Sequence, residues 1–318
     1  MIIGDYRFEI VPDTEFRLDG GAMFGVVPRV VWERVCPPDE LNRIRMNMNC
    51  VFIDTGKEKI LIETGIGEKW TDKQTRMYGI FREKPFAETL FETTGCKPED
   101  ITIVVNTHLH FDHAGGNTVL STPPYEGGVD GFSSPPARGG VAPASGDEVV
   151  GVADGVVLSS MPQFPNARYL VSKAEFDHAE HPHERDRASY LPENWRPMQQ
   201  SGQLELMPES YHVVDGLSIQ QVRGHSETMQ TWKLTRGGET VYGFADLIPM
   251  KHHLPTAWVA GFDLYPTETL AFKKEILPQA LRENWMCLFY HDIDQPLCRL
   301  VSKDGKIVAD RTLKLGEN

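Results

Sequence analysis

Thr107-His108-Leu109-His110-Phe111-Asp112-His113-Ala114-Gly115-Gly116 is the stretch on which the reading of this 318-residue chain turns. Four of the six residues from His108 to His113 are of metal-ligand type. They follow Ile101–Asn106, a β-branched run of the kind that fills a buried strand. In an extended segment leaving a strand, residues two apart face the same way, so His108 and His110 suit one ion. The chain must then turn, which puts Asp112 and His113 beside a second ion, and Ala114-Gly115-Gly116 lets the backbone turn tightly. Without metal, histidines crowded this closely repel when protonated and bury unpaired nitrogens when neutral. Imidazole and carboxylate donors without thiolate suit zinc, iron, cobalt, nickel or manganese.

Working outward, the first third of the chain reads as β-rich, with strand-like runs at Tyr6–Val11, Met46–Ile53 and Lys59–Glu63. Asp54-Thr55-Gly56 looks like the hairpin turn between the last two. Phe86–Thr93 has helical spacing after Pro85. Ser121–Asp147 is rich in Gly, Pro and Ser and reads as an inserted surface loop, either a flap or an inert insertion. Beyond it, strands are expected at Ala167–Val171, Leu217–Val222, Thr231–Leu234, Thr240–Phe244 and Trp285–Tyr290. Helices are expected at Ser172–Ala179 and Glu268–Leu277, which together argue for a layered α/β architecture.

Composition narrows the function classes. The formal net charge is −13, with no basic patch, which opposes nucleic acid as a partner. No run of 18 apolar residues occurs, so a membrane span is not expected, and the acidic amino terminus does not read as a secretory signal. Cys36, Cys50, Cys96, Cys287 and Cys298 are odd in number and widely spaced, matching neither a disulfide framework nor a metal pair. Free buried thiols and a cytoplasmic location are the expectation.

The His108–Gly116 run resembles the signature of the metallo-β-lactamase superfamily. Three later motifs continue the likeness in order: Gly224-His225-Ser226-Glu227, Gly243-Phe244-Ala245-Asp246, and Leu288-Phe289-Tyr290-His291-Asp292. Met48-Asn49-Cys50 through Glu63-Thr64-Gly65 is similar to the family's opening strands. The resemblance implies one four-layered αβ/βα sandwich domain over residues 1–318, with the insertion at about 121–147. It implies that His108, His110 and His225 hold a first ion and that Asp112, His113 and His291 hold a second. Asp246 then bridges two divalent ions, with zinc expected.

Such a centre lowers the pKa of a shared water, and the bridging hydroxide is the nucleophile. Asp112 stands as the catalytic residue that orients the hydroxide and carries a proton to the leaving group. Within the family the run looks most like quorum-quenching lactonases, which carry a tyrosine three residues after the bridging Asp; here that position is Pro249. Tyr190, His252 and His253 are the candidate replacements, and Met23 and Phe24 the candidate apolar pocket wall. Ala188–Trp195 is a second candidate for the pocket rim. The expected activity is hydrolysis of a lactone or other small carboxylic ester. The alternatives are an organophosphate or aryl phosphotriester hydrolase and a mono-iron oxygenase of the same fold. The expected partner is a small-molecule substrate, with a homodimer as the family-level expectation.

Overall fold

Two long strands, Tyr6–Asp19 and Arg43–Asp54, pair antiparallel from Arg7 opposite Asp54 to Asp19 opposite Arg43 and form the spine of one sheet. The computed structural model describes residues 1–121, 151–153 and 156–310. Apart from Ser121, the expected insertion therefore lies outside the described residues.

Numbered in chain order, the first sheet holds β1 (Ile2–Ile3), β2 (Tyr6–Asp19), β3 (Arg43–Asp54), β4 (Lys59–Ile62) and β5 (Ile103–Val105). A small sheet holds β6 (Thr118–Ser121), β7 (Gly151–Ala153) and β8 (Val156–Pro162). The first sheet resumes with β9 (Arg168–Ser172) and β10 (Leu204–Met207), in the order β1-β2-β3-β4-β5-β9-β10. The second sheet runs in sequence order through β11 (Ser210–Val214), β12 (Leu217–Gln221), β13 (Gln230–Arg236), β14 (Glu239–Gly243), β15 (Met286–Leu288), β16 (Leu297–Lys303) and β17 (Lys306–Ala309).

Local chemistry sets the turns. Between β3 and β4 the Asp54 carboxylate accepts from the Gly56 N–H at 2.7 Å, and Gly56 takes a φ of 80° that its missing Cβ permits. The helix Phe86–Thr94 presents Phe86, Leu90 and Thr94, four apart, to the first sheet and ends at left-handed Gly95. Arg7 on β2 ties it down by donating to the Thr93 and Thr94 carbonyls. The helix Pro266–Arg282 buries Thr269, Lys273, Leu277 and Ala280 and packs near β16 and β17. Between the sheets Phe8 and Trp232 meet with ring centroids 6.4 Å apart. The layers are therefore helix, sheet, sheet, helix, which is the metallo-β-lactamase fold. All five cysteines are buried and free. Among the described residues no helix is long and apolar enough to cross a membrane.

The topology decides where the chemistry collects. β4, β5, β9 and β10 run parallel in the first sheet, as do β14 and β15 in the second. His108 follows β5, His225 follows β12, Asp246 follows β14 and His291 follows β15. Each leaves the carboxyl end of its strand, where open α/β sheets place their crevices. Asn49 on β3 stitches the two sheets there, donating at 2.7 Å to both the Tyr290 and Asp292 carbonyls.

Candidate metal centre

His108 and His110 lie in extended backbone, and His110 (φ −61°, ψ 152°) is the cap from which the short helix Phe111–Ala114 starts. Asp112 and His113 thus sit in a first helical turn, with the His113 ring centroid 4.1 Å from that of His108. Gly115 and Gly116 are needed for close approach: a Cβ on either would stand 2.2 Å from the Ile66 carbonyl or 2.1 Å from that of Thr64. That approach lets Thr64 donate its N–H (2.9 Å) and hydroxyl (3.1 Å) to the His113 carbonyl.

The seven residues anticipated as ligands come together, all buried. His108, His110 and His225 form one group whose donor atoms lie within 4.8 Å of one another, and Asp112, His113, Asp246 and His291 form another. His110 Nδ1 and His225 Nε2 approach to 3.0 Å. Asp246 Oδ1 is 3.1 Å from His291 Nε2 and 3.2 Å from His113 Nε2, while its Oδ2 is 3.5 Å from His225 Nε2. His291 Nε2 is also 3.6 Å from Asp112 Oδ2. The donor set fits divalent cations. The Nε2 atoms of His108 and His110 are buried without a hydrogen-bond partner among the described residues, a costly arrangement for a metal-free polar cluster.

Three of the histidines, His108, His225 and His291, have hydrogen-bond partners at their outward nitrogens. Asp263 Oδ1 lies 3.0 Å from His225 Nδ1 and is itself held by the Thr269 hydroxyl at 2.7 Å. Thr107 Oγ1 lies 3.0 Å from His108 Nδ1, and the Asn47 carbonyl 2.9 Å from His291 Nδ1. Glu63 Oε1 is 3.4 Å from His113 Nδ1 and accepts from the Thr107 N–H at 3.1 Å. Such partners orient imidazoles and raise their basicity toward a metal. Glu175 acts one step further back, accepting from the Leu109 N–H at 2.7 Å and from the Thr228 hydroxyl. Two backbone outliers flank the centre: Glu63 (φ 64°) and Ala245 (φ 48°), which immediately precedes Asp246. Non-glycine residues hold that conformation only where surroundings enforce it, and such strain concentrates at functional sites.

Charge is distributed unevenly. Burial, then the neighbouring imidazoles, push His108 and His110 well below the ordinary histidine range. Burial works against protonation of His113 too, but Asp246, Asp112 and Glu63 outweigh it and hold this histidine well above that range. Asp246 resists the upward push of burial because His113 and His291 face it, and it stays well below the usual carboxylate range.

The residues anticipated for the pocket sort differently. Met23 and Phe24 are buried in the core, with Phe24 stacked between Trp32 (5.2 Å) and His253 (4.8 Å). His253 is fully buried, and its Nε2 lies 2.8 Å from the Met23 carbonyl. These three pack on one another instead of presenting a surface to the centre. Tyr190 is buried with its ring 4.7 Å from that of His110, so it backs a candidate ligand histidine. Unanticipated is an aromatic group beside Asp112: Trp70, Tyr78 and Phe111, with centroids 5.2 to 5.5 Å apart. Burial and then the Asp112 carboxylate push the Tyr78 phenol up, so it stays protonated. Glu63, Asp263 and Glu175 were also not anticipated as supports. The Thr71–Gln74 capping box was the local signal for the helix that carries Tyr78.

Residues 44–123 match the model of the metallo-beta-lactamase superfamily. An N-acyl homoserine lactonase of Bacillus cereus is 22% identical over 274 residues, which span 80% of this chain and 84% of the relative. A probable metal-dependent hydrolase from Staphylococcus aureus superposes with a TM-score of 0.78 at 26% identity, covering 99% of this chain and 100% of the other. A dizinc quorum-quenching lactonase with a bound homoserine product superposes with a TM-score of 0.70 at 18% identity, covering 99% and 97%. The matched segment resembles the metallo-β-lactamase superfamily and the fold is the metallo-β-lactamase fold, and together they point to a metal-dependent hydrolase.

Proposed function

We propose that the centre is dinuclear and hydrolyses a lactone or other small carboxylic ester, with N-acyl homoserine lactones as the first class to test. The observation that carries this reading is the position of Asp246, whose two oxygens address different histidine sets, Oδ1 toward His113 and His291 and Oδ2 toward His225. His108, His110 and His225 would hold one ion and Asp112, His113 and His291 the other, with Asp246 between and zinc the expected metal. When bound, the ions would polarise the ester carbonyl and bring the pKa of water toward neutrality. Asp112, buried beside His291 and His113, is placed to pass a proton to the leaving alkoxide. Trp70, Tyr78 and Phe111 offer an apolar wall for the acyl part of the substrate, and Tyr78 adds a phenolic donor where Pro249 supplies none. The names of the curated relatives support the lactone class.

Metal quantification followed by a panel of acyl-homoserine lactones, aryl esters and phosphotriesters tests this. Two zinc or mixed ions per chain with lactone turnover is the expected result. One iron per chain, or phosphotriester turnover without lactone turnover, would overturn it.

A further inference from the structure

A cleft of about 970 Å³ opens between the helix Pro266–Arg282, the β16–β17 hairpin and the loop from Lys251 to Trp258. None of the seven proposed ligands lines it. Its size falls within the range of small-molecule sites. Leu254, Trp258, Leu277 and Ile307 give it an apolar lining, and Lys273, Lys274, Lys303 and Lys306 supply positive charge. Asp310 is the one acid among its described lining residues, in a chain of net charge −13.

The cations are not neutralised by the fold. Lys274, Lys303 and Lys306 are exposed and make no ion pair among the described residues. Lys273 is fully buried and donates to three carbonyls, those of His253 (2.5 Å), Pro255 (2.8 Å) and Trp258 (2.7 Å). Among the described residues no carboxylate lies within ion-pair distance of it, and burial lowers its pKa to about 7. Lys251, also in the lining, is paired with Asp292, so an anion in the cleft gains chiefly from Lys274, Lys303 and Lys306. The apolar lining asks in addition for a hydrocarbon segment.

We propose that this cleft binds a medium-chain aliphatic carboxylate, its chain along Leu254, Trp258, Leu277 and Ile307 and its head group toward Lys274, Lys303 and Lys306. The site is separate from the metal centre and stands whether or not the chain is a lactonase. Isothermal titration of the metal-loaded full chain with sodium decanoate tests it. Saturable binding at one per chain is expected, weakened at least about tenfold when decanol replaces decanoate or when Lys274→Glu, Lys303→Glu and Lys306→Glu are combined. Binding should persist in Asp246→Ala, and ester turnover should persist in the triple variant. If the triple variant does not fold, Lys306→Glu alone, at the exposed hairpin, should weaken binding about threefold. Absence of saturable binding, binding indifferent to these reversals, or binding lost in Asp246→Ala because the carboxylate sits on the metals would each overturn the proposal.

Discussion

His108, His110 and His225 meet as three imidazoles beside Asp246, with Glu63 also near His108, whereas His113 and His291 face both Asp112 and Asp246. In the first set, burial and mutual repulsion keep His108 and His110 unprotonated, so their lone pairs are already available. In the second, Asp246, Asp112 and Glu63 outweigh burial and hold His113 well above the ordinary histidine range. The supports differ likewise. Asp263, fixed by Thr269, orients His225, while Glu63, in strained backbone, lies 3.4 Å from His113 Nδ1. The two sets therefore differ in their charged neighbours, although in the first set Asp263 and Asp246 raise His225 against burial.

Asp246, beside both sets, is the first place to break the comparison. Asp246→Ala should lose one or both ions and lower turnover more than about a hundredfold, checked by elemental analysis alongside ester kinetics. Full metal content with unimpaired turnover would remove Asp246 as the bridge. Next come the two supports, which should separate the sets. Asp263→Asn and Glu63→Gln are each expected to weaken metal affinity about 10–100-fold, the former at the first ion and the latter at the second. If competition with a chelator shows both variants releasing the same ion, the two sets are not distinct.

His253 sharpens the contrast, being a buried histidine outside both ligand groups. Burial lowers its pKa to about 3, against the upward pull of its bond to the Met23 carbonyl. Because the unfolded chain takes up a proton near pH 6.5 and the folded chain does not, stability is full above that pH and falls as the pH drops below it. The loss should reach about 2 kcal/mol by pH 5, and denaturant melts of His253→Gln should show a flatter acid limb. The smallest effect is expected at the rim, where Tyr78→Phe should lower kcat/KM several-fold, roughly two- to tenfold, at unchanged metal content. An unchanged kcat/KM would leave the phenol without a role.

Legibility followed locality. β5 and the tight turn after His110 were readable because β-branched residues and glycines mark them within a few positions, though the turn proves to be a short helix, Phe111–Ala114. The helix Asp72–Tyr78 was not, since its polar surface shows no periodic apolar face and its cap was the one clue. β16 and β17 also escaped: their partly exposed residues alternate weakly, and each depends on its neighbour for hydrogen bonds. Met23 and Phe24 looked like adaptable loop residues among glycines. The fold instead uses them as core, because Trp32, His253 and Trp258 close around Phe24 from distant parts of the chain.

By itself the sequence determined the donor types, their order and hence the family of chemistry, since a ligand run such as His108–His113 carries its meaning in its own spacing. Only the tertiary structure decided how each ligand is held and what stands beside it. His291 is oriented by the Asn47 carbonyl 244 positions away, and His225 by Asp263, 38 positions on. Contacts across such separations leave no periodic trace in a sequence, because they exist only once two sheets have packed and brought their carboxyl ends to one edge.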